Sequence, residues 1–135
     1  SEKPMIYETN EKHFSVFKEE CIKWIKFFGI TEWEIFFVHE TYEDGCRTAC
    51  YTKHLHKIAH LALNKRQEVC EPITDESIKK SAFHEVCELL LSSITFIALD
   101  EEIPHHERQG LTESETHEVI RRMENSIFNH VKLEA

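Results

Sequence analysis

The chain has 135 residues, 41% hydrophobic and 30% charged, with a formal net charge of −9. That length suits one domain with a real hydrophobic core. The acidity argues against a nucleic-acid binder, whose affinity is built from clustered Lys and Arg. Three glycines and three prolines favour long regular elements over loops.

Residues 1–10 read as a loose lead-in. From Glu11 to Phe28 the apolar residues Phe14, Phe17, Cys21, Trp24, Ile25 and Phe28 recur at three- and four-residue steps, which predicts an amphipathic helix. Gly29 stands where a helix C-terminal glycine belongs. Trp33–His39, rich in aromatic and β-branched residues, reads as a strand. Tyr42-Glu43-Asp44-Gly45 carries the Asp-Gly turn signature and predicts a hairpin into Cys46–Lys53. A third strand is expected over Lys57–Leu63, followed by a charged connection from Asn64 to Pro72.

The longest helix is predicted from Thr74 to Leu99, with Thr74 or Asp75 as its N-cap. Its apolar face is very wide (Phe83, Cys87, Leu90, Leu91, Ile94, Ile97), so it should be largely buried. Residues 100–110 read as a polar loop. Thr112 with Glu115 forms a capping-box pattern that opens a last helix to about Asn129, with Ile120, Met123, Ile127 and Val131 as its core-facing stripe. The predicted fold class is α+β in a single domain over residues 1–135. It has an N-terminal helix, a three-stranded antiparallel sheet, a long buried helix and a C-terminal helix, with the helices on one face.

Five cysteines without a CxxC pair, two of them (Cys21 and Cys87) inside apolar helical stretches, favour free thiols and a reducing compartment. No signal-peptide pattern is visible and no apolar run reaches membrane-spanning length, so the expected location is cytoplasmic, with no membrane partner. Ten histidines raise the prior for metal binding. His54, His56 and His60 alternate near a strand turn and would share a face, but they read more naturally as surface histidines.

The chemistry-bearing motif is His84-Glu85-Val86-Cys87-Glu88, an H-E-x-x-E segment within the long helix. Residues four apart stand on one helical face, about 40° apart on the wheel, so His84 and Glu88 can grip one cation together. Glu85 falls toward the polar side, within reach of a water. This is the layout of the H-E-x-x-H zinc helix with glutamate in place of the second histidine. A divalent ion there would acidify water, and Glu85 is the natural general base. A third ligand must come from another helix. His117 is the first choice and Glu124 the second, since both sit on one flank of the last helix's stripe, although Glu124 could instead pair with Arg121.

The order of elements, the segment from Phe83 to Leu91, and Glu118-Val119-Ile120-Arg121-Arg122-Met123-Glu124-Asn125 resemble small zincin-like proteins of bacteriophages and prophages, relatives of the gluzincin metallopeptidases. The resemblance spans roughly Trp33 to Phe128. It implies a Zn2+-dependent peptidase or a degenerate relative acting on a protein or peptide, with His84 and Glu88 as ligands, Glu85 as base, and a host-cell cytoplasmic location. It also implies that an edge strand borders the cleft, which would bring His60 or Ala62 near it. The alternative is a non-catalytic modulator that docks on a host protein.

Overall fold

The computed structural model describes residues 3–134. It is an α+β fold with strands β1 (Met5–Glu8), β2 (Glu34–Glu40), β3 (Thr48–Lys53), β4 (Ile58–Asn64) and β5 (Arg66–Val69). The helices are α1 (Glu11–Phe27), α2 (Asp75–Leu99), α3 (His105–Met123) and the short α4 (Asn129–Glu134), joined to α3 by a π-turn over Glu124–Phe128.

The first helix forms where its periodicity places it. Asn10 caps it, its side chain accepting from the His13 N–H at 2.9 Å while His13 Nδ1 accepts from the Asn10 N–H at 3.1 Å. Its end is a Schellman motif. Gly29, at φ 65°, donates to Lys26 O, and Ile30 donates to Ile25 O. Phe17 and Cys21 are fully buried and face α2 and the sheet. Cys21, Cys46, Cys50 and Cys87 form no disulfide.

The sheet differs from the predicted antiparallel meander. Its strand order is β2-β4-β3, with β2 parallel to β4 and β3 antiparallel to it. The Asp-Gly turn does form, with Gly45 at φ 72° and its N–H on Tyr42 O. It does not close a β2–β3 hairpin, because residues 41–47 cross the end of β4. Asn64, fully buried there, explains the crossing. Its Oδ1 accepts from the backbone N–H groups of Tyr42 and Arg66, and its Nδ2 donates to the carbonyls of Tyr42 and Cys46. The true hairpin joins β3 to β4 through a 3-10 turn at His54–His56 and Lys57 in the left-handed region. The N-terminal lead-in is also ordered, since Met5–Glu8 pairs antiparallel with Arg66–Val69, inside the segment expected to be an irregular connection.

Helices α1 and α2 pack against each other over the sheet face that carries Ile35, Phe37, Ala59, Leu61 and Leu63. On the opposite face Phe36, His60 and Tyr51 stack in a row across the three strands. Thr74 caps α2 reciprocally with Ser77, and Asp75 and Glu76 complement the dipole at its start. By length and composition α2 is long and apolar enough to cross a membrane, contrary to the sequence reading. In this fold it is the central helix, burying Ile78, Ala82, Val86, Leu89, Leu90 and Ile97.

The last helix starts earlier than predicted, at His105, with Pro104 as N-cap. Thr112 does not cap it; its hydroxyl donates back to Arg108 O within the helix, as Thr116 does to Thr112 O. Its inner side is also different. Val119 and Ser126 are buried, whereas Ile120, Met123, Ile127 and Val131 are 41–58% exposed. Polar docking sets this rotation. Arg108 donates to the carbonyls of Ile97, Asp100 and Ile103 at the end of α2, and Arg122 reaches Gly29 O and Glu32 behind α1.

Candidate metal centre

The segment His84–Glu88 lies at the middle of α2, where the helix runs alongside edge strand β3. Its three titratable side chains converge: one ligand atom from each of His84, Glu85 and Glu88 lies within 4.8 Å of the others. Among the described residues this is the only group of three or more His, Cys, Asp or Glu side chains that meets so closely. The His84 Nε2–H donates to Glu88 Oε1 at 3.1 Å, and both side chains are more than half exposed.

Glu85 is placed differently from the wheel count. It is 3% exposed, and Thr48 on β3 donates a hydrogen bond to its Oε2. Burial first, and the nearby Glu88 carboxylate with it, push its carboxyl up to about 7 against the opposing pull of the Thr48 hydroxyl and His84. A sequence signal for this burial exists. Ile78, Ala82, Glu85 and Leu89 follow one another at helical steps, so Glu85 occupies a core position that an apolar residue would ordinarily fill. Thr48 carries no motif and was not among the expected site residues.

His84 and Glu88 are two of the three protein ligands that a catalytic zinc site takes, and among the described residues no side chain from another element joins them. Bonds of about 2.0–2.2 Å in a tetrahedral shell place neighbouring ligand atoms about 3.3–3.6 Å apart, close to the separation of the His84–Glu88 pair. His117 and Glu124 are both exposed on the last helix, and neither joins the converging group. Glu118 pairs with Arg121 at 2.5 Å and Arg122 at 3.8 Å, leaving Glu124 without the Arg121 partner that the spacing allowed.

The other histidines are dispersed. His54 stacks on Phe96, His60 lies between Phe36 and Tyr51, and the triple cluster with His56 does not form. His60 and Ala62 belong to the central strand and project to the face away from α2; the strand that borders the cleft is β3.

Two clefts flank the triad. One, of about 660 Å³, is polar and lined by Arg47, Thr48, Glu76, Lys80, His84 and Glu85. The other, of about 820 Å³, continues along α2 from Glu88 and Cys50 to Leu55 and Leu99. The chain matches no family model, no curated protein and no solved structure.

Proposed function

We propose that the protein is a metal-dependent peptidase, with the ion held by His84 and Glu88 and Glu85 as general base. The observation that carries this reading is the convergence of one imidazole and two carboxylates, flanked by two clefts beside an edge strand. Zinc is the first ion to test. Bound there, it would supply Lewis-acid polarisation of the scissile carbonyl and acidify the attacking water.

The chain's own residues have defined tasks. Thr48 holds Glu85 Oε2, and the carboxylate takes a proton from water and returns it to the departing amine nitrogen. β3 is bonded to β4 on one side only, so an extended peptide can add to its free edge through backbone hydrogen bonds. The test compares metal content and peptide hydrolysis in the wild type, His84→Ala and Glu85→Gln. Loss of metal in the first variant, and loss of hydrolysis with metal retained in the second, are the expected results. Equal metal content in wild type and His84→Ala refutes the reading.

A second reading has one specific observation behind it. The exposed apolar stripe Ile120, Met123, Ile127 and Val131 favours docking on another protein, without catalysis. It requires no stoichiometric metal and an inconsequential Glu85→Gln.

A further inference from the structure

We propose that the cleft running from Glu88 to Leu99 is a specificity subsite that seats a large apolar side chain on the N-terminal side of the bond to be cut. The inference rests on the peptidase reading above and adds the substrate class.

Direction comes from the way β3 and α2 lie together. The start of β3 is at the triad, where Thr48 bonds Glu85. Just beyond its end, His54 stacks on Phe96 at 4.2 Å between ring centroids, two turns along α2 from Glu88. The strand and the helix therefore run the same way. A peptide added antiparallel to β3, the more stable pairing, runs from the Lys53 end toward Thr48. Its residues ahead of the reacting carbonyl then lie over the larger cleft, and those behind it enter the polar one.

The lining of the larger cleft states what it takes. Among polar neighbours that include Lys53, His56 and Asp100, Leu55 is 84% exposed and Leu99 75%, and Leu91 and Phe96 line the same cleft, so each wall carries apolar surface. Such surface gains from covering by another apolar group. Its continuity with Glu88 and Cys50 makes the natural cover a side chain of the same peptide whose carbonyl lies at the triad. In an extended peptide alternate side chains point to the same side, so one or two positions reach the cleft.

The test exposes a library of short peptides, blocked at both ends, to zinc-loaded full-length protein and reads the cut sites by mass spectrometry. Leu, Phe or Met should be enriched over Asp by roughly tenfold or more among the residues just N-terminal to the cuts. A Leu55→Asp/Leu99→Asp variant, altered only at exposed positions and checked by its melting temperature, should still cut but lose that preference. Cutting that ignores those positions, or an unchanged preference in the variant, overturns the subsite and leaves the peptidase reading intact. If nothing is cut, a blocked Leu-Leu-Phe peptide titrated into isotope-labelled protein decides. Saturable amide shifts along Thr48–Leu55 that vanish in the variant uphold the subsite without the catalysis. Their absence from the wild type overturns it.

Discussion

Replacing Glu85 by glutamine keeps the shape of the side chain and an oxygen for the Thr48 hydroxyl, while removing a carboxylate that the fold holds almost out of water. Burial lifts this carboxyl from its ordinary 4.5 to about 7. At about 1.4 kcal/mol per pH unit, the ionised form destabilises the metal-free protein by about 3 kcal/mol. The sign follows from proton binding. Between pH 4.5 and about 7 the folded state keeps a proton that the unfolded chain has released, so stability falls as pH rises through that window and levels off above it. In Glu85→Gln this component is missing. Denaturant unfolding of chelator-treated wild type and variant, in steps from pH 4.5 to about pH 8, should show the variant gaining on the wild type across the window. The gain should approach 3 kcal/mol at the alkaline end. Groups remote from Glu85 contribute equally in both proteins and cancel in the difference. Adding zinc at about pH 8 should stabilise the wild type more than the variant, because a cation offsets the cost of the buried negative charge. A difference curve that does not change with pH would refute the placement of Glu85.

Three further substitutions probe the frame around the site. Gly45→Ala forces a side chain into backbone at φ 72° with its Cβ 2.7 Å from Glu68 Cβ. It should cost at least about 1–2 kcal/mol in denaturant unfolding. Asn64→Leu strands four backbone groups at the crossing over β4 and should destabilise by more than about 3 kcal/mol. Arg108→Met removes the donor that satisfies three carbonyls at the end of α2. It should lower stability by about 2–3 kcal/mol and speed amide exchange at the start of α3.

The helices that build the site were legible because their signals are local. The capping residues of α2 and the three- and four-residue apolar steps of α1 are settled within a few positions of sequence. The His84–Glu88 pairing was legible for the same reason, since an i, i+4 relation needs only the helix. Strand partners were not. The Asp-Gly turn formed where expected, yet β2 found β4 because Asn64 anchors the crossing loop, a contact between residues 22 positions apart. Arg66–Val69 reads as a charged connection, but it alternates exposed and buried residues and pairs with Met5–Glu8. Glu85 was assigned to the polar side because a wheel drawn for one apolar face does not know that β3 covers a second. The last helix was rotated for a related reason: arginines hold it in place, while hydrophobicity alone pointed to Ile120, Met123 and Ile127.

Because β4 sits between β2 and β3, the sheet cannot assemble strand by strand in the order of synthesis. The β3–β4 ladder begins at Lys53 and Ile58, across a short turn, whereas the β2–β4 ladder must bring Glu34 to Ile58. Loop-closure entropy favours the nearer pair. The hairpin should therefore form early, and β2 with α1 should close onto it afterwards. Conservative substitutions in the His54–Lys57 turn would then slow refolding, and equivalent ones in β2 would mainly hasten unfolding. On this route the edge strand beside the candidate centre is in place before the N-terminal third of the chain has found its seat.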